Sequence, residues 1–222
     1  PWGKPSPGRL VRLEDYGGLT LRLEPPDDPA QTRITFCSLG VAVETIATLL
    51  PDAQVRAWVN DDAFTLTASQ SAVVEDVRRQ KALDAVASGA AEFLPETARR
   101  LANALPEGRS ASGGPPWADE ARAWFAAAAR RLSSERRMLP QDLLDAPFLS
   151  DASGRALSLA GAGRGKTVDG KLAYSTTRVL GVRLPAPVVY CPRPSDRALL
   201  ESVFPGALHD APQLVESLAR LK

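Results

Sequence analysis

The chain has 222 residues, 44% of them hydrophobic, enough to bury the core of one large domain or two small ones. Its 27 Lys plus Arg almost cancel 26 Asp plus Glu, which argues against a nucleic-acid binder, because displacing counterions needs a basic stripe. No apolar run approaches a membrane span and no basic-then-apolar leader opens the chain, while two distant thiols, Cys37 and Cys191, fit a reducing compartment; a cytoplasmic protein without membrane attachment is expected.

The chain opens Pro1-Trp2-Gly3-Lys4 with no Met, so it is expected to be a piece of something longer. Residues 9–13 and 19–23 alternate apolar and polar around Asp15-Tyr16-Gly17-Gly18, a hairpin signature. The proline-rich run at 25–29 reads as a loop. Strands are expected at 33–38, 41–44 and 54–59, the last ended by Asn60-Asp61-Asp62. From about Ser71 the period becomes helical, with Val73, Val77, Leu83, Val86, Ala90 and Phe93 roughly on one face. Arg78, Arg79 and Lys81 fall around the other face, where solvated charges are the expectation. Pro95 is expected to restart this helix, which runs on to about Leu105.

The Pro/Gly/Ser-rich segment 106–116 is the clearest linker. It divides the chain into residues 1–105 and 117–222. The second part opens with a helix over 117–133, followed by 143–149, a turn at Asp151-Ala152-Ser153-Gly154 and a strand over 156–159. Further strands are expected at 171–176 and 187–191, and helices at 196–204 and 212–221. Strands then helix, twice, make the class mixed α/β (α+β).

Two motifs tempt a catalytic reading. Ala160 to Thr167 ends in Gly-Lys-Thr, like a phosphate loop, but the preceding run is short and Val168-Asp169-Gly170 does not start a helix; a glycine-rich surface loop is expected instead. Cys191, five residues and Arg197 have the spacing of cysteine phosphatases. Pro192 and Pro194 remove two backbone donors there and Asp196 repels phosphate, so a buried thiol at a strand end is expected. His209, the single histidine, reads as a solvated loop residue, which excludes imidazole clusters for metal. Asp61-Asp62 and Glu75-Asp76 read as turn and helix-start charges. Trp2, Trp58, Trp117 and Trp124 could serve as binding anchors, though tryptophans more often belong to a core.

The ordered run from Arg33 to Leu94 carries a resemblance. Arg33-Ile34-Thr35-Phe36-Cys37-Ser38-Leu39-Gly40-Val41-Ala42-Val43 is followed by Leu49-Leu50-Pro51, by Val55-Arg56-Ala57-Trp58-Val59-Asn60-Asp61-Asp62, by Phe64-Thr65-Leu66-Thr67-Ala68-Ser69-Gln70-Ser71 and by the long helix. This resembles the middle domain of the heat shock protein 90 chaperones of the bacterial HtpG type, within the GHKL-type ATPases. Further on, Leu143-Leu144, Asp151-Ala152-Ser153-Gly154, Leu157-Ser158-Leu159 and Lys171-Leu172-Ala173-Tyr174-Ser175-Thr176 echo the same family in the same order.

The resemblance implies a subdomain like ribosomal protein S5 domain 2, a sheet packed by helices, then a helical connector and a smaller α/β subdomain. It implies a transducer with no catalytic residue, cofactor or metal of its own. ATP and magnesium would sit in an N-terminal ATP-binding domain of the parent chain, with protein clients as further partners and the parent in some cases a homodimer. In the family a loop reading "NVSRE" sends an arginine to the γ-phosphate. Ser69 matches its serine, and Gln70 stands at the arginine position. Glutamine can donate a hydrogen bond but cannot neutralise phosphate charge. The alternative is therefore a non-catalytic protein–protein interaction module derived from that fold. A third reading, a small phosphatase or nucleoside triphosphatase built on the two motifs above, would require phosphate binding.

Overall fold

The computed structural model describes residues 9–104, 115–166, 170–178 and 186–211. It divides into two compact units, Pro1–Leu94 and Pro95–Lys222. The division falls at Pro95, inside a helix. Most of the expected linker and the expected helix at 212–221 lie outside the described residues.

The first unit is a five-stranded mixed sheet with a long helix. Strands β1 (Arg12–Asp15), β2 (Thr20–Glu24), β3 (Thr32–Ser38), β4 (Val41–Thr48) and β5 (Arg56–Asn60) stand in the order β1-β2-β5-β3-β4. β3 and β5 run parallel and the other neighbours antiparallel. The first hairpin closes with Asp15 opposite Thr20, where Gly17 (φ 63°) and Gly18 (φ 101°) supply the left-handed backbone the turn needs. β4 extends to Thr48, beyond the expected Glu44, because Thr45 and Ile46 continue the pairing with β3 past a bulge. Leu21 and Leu23, Ile34 and Phe36, Ala57 and Val59 are buried at two-residue spacing, which makes one face of the sheet largely apolar.

Helix α1 (Val77–Ala104) starts six residues later than its apolar period suggests. Asp76 decides the start: its Oδ1 accepts the backbone N–H groups of Arg78 and Arg79 at 2.9 and 2.8 Å, which caps the first turn. Helix and sheet meet at Gly89, where a Cβ would lie 2.9 Å from Leu23 Cδ1 and 3.1 Å from Leu21 Cδ2. Pro95 does not restart the helix; α1 runs through it without a break.

The second unit contains α2 (Ala118–Ser134), α3 (Gln141–Asp145), α4 (Leu159–Arg164) and α5 (Pro194–Val203). Strands β6 (Leu149–Ser150) and β7 (Ala156–Leu157) form a short antiparallel pair. Strands β8 (Leu172–Ser175), β9 (Val189–Tyr190) and β10 (Leu208–Asp210) form a parallel sheet in the order β10-β8-β9. The core is built from Trp124, Phe125, Leu132, Phe148, Leu199 and Leu200, with the Phe125 and Phe148 rings 5.3 Å apart. Three expectations are corrected here. The strand at 156–159 stops at Leu157, because Ser158 caps a new helix. α5 begins two residues early, since Pro194 pre-sets the helical φ at the first position. His209 lies on β10, opposite Ala173, rather than in a loop. Among the described residues no helix is long and apolar enough to cross a membrane.

Candidate functional site

Ser69 and Gln70 sit at the exposed tip of a small β-turn loop between β5 and α1. The loop closes through Thr67 N–H to Ala72 O (2.9 Å), Val74 N–H to Thr65 O (2.8 Å) and a Leu66–Val73 bridge. Gln70 N–H donates to Thr67 O at 2.8 Å, and Gln70 itself takes a left-handed backbone, φ 54°. Thr67, Ser69 and Ser71 run a hydroxyl chain behind it, at 3.3 and 2.8 Å.

The base of this loop is fixed by charged side chains. Glu44 on β4 accepts the Val73 N–H (3.1 Å) and pairs with Arg79 Nη2 (3.1 Å), while Arg79 Nη1 donates to Val73 O (2.8 Å). The Arg79 guanidinium also lies over the Phe36 ring, and Phe64 packs edge-on against that ring. Asp61, at the end of β5, accepts two bonds from Arg78 and one from Ala63 N–H. Burial pushes the Asp61 carboxyl up, but the Arg78 hydrogen bond and the Ala63 N–H outweigh it and hold the pKa below the usual range. Arg79 is therefore not a solvated face charge; Arg78 is exposed, as expected, but is tied to Asp61, which is not merely a turn residue. Sequence reasoning missed these pairs because their partners lie 17 and 35 positions away.

Beside this clamp lies a cleft of about 540 Å³, between the first hairpin and the start of α1. Arg78, Lys81 and Asp84 line it on one side and Tyr16 and Leu19 on the other. Ser69 and Gln70 are not among its lining residues. The cleft could not have been read from sequence, since it depends on how α1 lies over the first hairpin.

The two tempting motifs have structural explanations. Residues 160–164 of the phosphate-loop look-alike lie in helix α4 and not in a glycine-rich loop, and Ser158 Oγ accepts Gly161 N–H at 3.0 Å. The N–H groups of Ala162 and Gly165 are spent on helical carbonyls, so they do not point at a common anion. The glycines serve packing: a Cβ on Gly165 would fall 2.2 Å from Pro187 Cγ, and one on Gly163 3.2 Å from the Phe204 ring. Thr167 lies outside the described residues. Cys191 is buried at the end of β9, as expected. Burial, then the nearby Asp196 carboxylate, pushes its thiol up to about 12, which leaves no thiolate at neutral pH.

Asp196 is part of a buried pair with Arg122 of α2 that no sequence signal announced; the side chains are 4% and 5% exposed. Its Oδ2 also accepts the Arg193 N–H at 3.2 Å, capping α5. Of the tryptophans, Trp117 and Trp124 are buried, whereas Trp58 is half-buried beneath the guanidiniums of Arg22 and Arg56. Trp2 lies outside the described residues. No group of three metal-binding side chains occurs among the described residues.

In comparisons with known proteins, no family model matches this chain and no curated protein matches it.

Proposed function

We propose that the chain is the middle, transducer module of a chaperone ATPase of the heat shock protein 90 type. In this reading residues 1–105 form the subdomain resembling ribosomal protein S5 domain 2, and residues 117–222 the connector and smaller α/β subdomain. ATP and magnesium belong to an N-terminal domain of the parent chain, and this module couples the nucleotide state of that domain to the binding of clients or a partner.

One observation carries the reading: Ser69 and Gln70 stand at an exposed tip while Glu44, Asp61, Arg78 and Arg79 lock the loop's base. A loop that must touch a nucleotide on another domain needs a fixed base and a free tip, since positional error at the reacting atoms costs rate. A second reading is a non-catalytic interaction module of the same ancestry. Gln70 favours it, because the neighbouring cations Arg78 and Arg79 are committed to Asp61 and Glu44 and do not replace the missing arginine at the tip.

The test is ATP turnover by the parent protein, wild type against Gln70→Arg. A nucleotide-binding domain upstream together with faster hydrolysis by the variant supports the transducer. If the parent has no such domain, or turnover does not respond to the arginine, the interaction module leads.

A further inference from the structure

We propose that the groove bounded by α2, α4 and α5 in the second unit docks an acidic amphipathic peptide segment of a partner protein. Its apolar anchor would fill the groove and its carboxylates would meet the cations beside it. The inference does not depend on the transducer reading.

The groove encloses about 400 Å³, within the range of ligand-binding pockets. Its walls are Ala129, Leu144, Leu159, Val203 and Phe204, and none of its lining residues is acidic. Cations stand on its α2 and α4 sides, with Asp145 of α3 and Glu201 of α5 next in sequence to lining residues on the others. Arg136 and Arg137 line it directly, Lys166 stands 4.7 Å from the centre of the Phe204 ring, and Arg130 donates to the lining Ser202 hydroxyl at 2.8 Å. The nearest carboxylate on α2's end, Glu135, is shared between Arg131 and Arg137. Cations drawn from α2 and from the segment after α4 suit several carboxylates spaced along a peptide better than one acid head group.

A second observation falls at the same rim. α2 ends with Arg136 N–H on Ser133 O (3.0 Å) and Arg137 N–H on Leu132 O (2.7 Å), a helix end that normally places glycine at the left-handed position. Arg136 holds that position, φ 56°, with its side chain exposed. The strained residue gains the fold nothing that glycine would not give, and it sets a cation at the groove. Next to it Met138, 82% exposed, also lines the groove and offers the adaptable apolar contact common at peptide-binding surfaces. The chain's own residues 212–222 carry Glu216 against Arg220 and Lys222, the wrong charge balance for this rim.

The test titrates the 222-residue chain into a fluorescein-labelled peptide with Leu and Phe one helical turn apart among Asp and Glu, read by anisotropy. Saturable binding that weakens steeply with salt is expected. Arg136→Gly removes a cation while relieving the backbone, so it should raise Tm and yet weaken the peptide by about threefold to fivefold. Lys166→Glu should weaken it further. Equal binding by a peptide with Lys in place of Asp and Glu would overturn the proposal. So would unchanged affinity in Arg136→Gly. Binding of laurate but not of the peptide would reassign the groove to a small amphiphile, and peptide-insensitive dimerisation in sedimentation would assign it to a second copy.

Discussion

The Arg78 guanidinium grips the Asp61 carboxylate along one edge, Nε to Oδ2 at 2.6 Å and Nη2 to Oδ1 at 2.9 Å. This joins the first turn of α1 to the end of β5 and closes the loop that displays Ser69 and Gln70. Glu24, buried on β2, is held between two arginines, Arg22 on Oε1 and Arg56 on Oε2.

These pairs set the acid limit of the first unit. Burial raises both carboxyls, but their arginines win, so Asp61 and Glu24 titrate below their unfolded values. The stabilisation is complete above the unfolded carboxylate pKa, about 4, and is lost as pH falls through the lower folded values. Urea unfolding followed from neutral pH into acid should show stability level at first and then dropping. Asp61→Asn should lower the neutral plateau and flatten the acid drop. An acid slope identical to wild type would show that the pair does not control it.

Gln70 occupies a left-handed backbone at φ 54°. An L side chain there costs about 1–2 kcal/mol, and glycine would give back roughly 0.5–1 kcal/mol through its freer unfolded chain. Gln70→Gly should therefore stabilise the protein by about 0.5–1 kcal/mol, measured as a higher urea midpoint at unchanged m-value. Gln70→Arg keeps the strain and should be neutral, so the ATP-turnover comparison isolates charge.

Gly165 and Gly163 test whether the glycine-rich run is there for packing. Gly165 has φ −82°, so alanine meets no backbone strain, but its new methyl would lie 2.2 Å from Pro187 Cγ and 3.3 Å from Ala162 O. Gly165→Ala should cost about 1–3 kcal/mol by overpacking. In Gly163→Ala the 3.2 Å contact with Phe204 opposes a helical gain of about 1 kcal/mol, and the net change should be small. Equal effects at the two positions would contradict the packing account.

Much of the fold could be read in advance where the signal was local. The Gly17-Gly18 turn marked its hairpin, the alternation of Leu21 and Leu23 or Ile34 and Phe36 marked buried strands, and Ala-rich α2 marked a helix. Errors arose where one side chain overruled the pattern: Asp76 delayed α1, Ser158 turned a strand into a helix, and Pro194 advanced α5. Ser69 and Gln70 were singled out only through the family resemblance, and their exposure appears in the structure. The clamp beneath them could not be read in advance, since Glu44 meets Arg79 only once β4, the loop and α1 are assembled.

The thiols give a direct check on the rejected phosphatase reading. Burial raises the pKa of Cys37 as well as that of Cys191. A disulfide reagent at mildly alkaline pH should leave both unmodified in the native protein and label both in urea. Rapid native labelling of Cys191 alone would restore it as a nucleophile.

The Arg122–Asp196 pair supplies the sharpest test of the second unit, because burying two charges is justified only while both are present. Burial pushes the Asp196 carboxyl up and the Arg122 guanidinium down, against the attraction between them. Arg122→Met leaves the buried Asp196 carboxylate without its partner, and should cost about 3–5 kcal/mol. Adding Asp196→Asn removes that stranded charge while its amide oxygen can still accept the Arg193 N–H that caps α5. The double variant should therefore be more stable than Arg122→Met alone, a sign reversal that a double-mutant cycle reads directly. If Asn instead adds its own loss to that of Met, the Asp196 charge must be stabilised by groups other than Arg122, and Arg193 would be the next substitution to make.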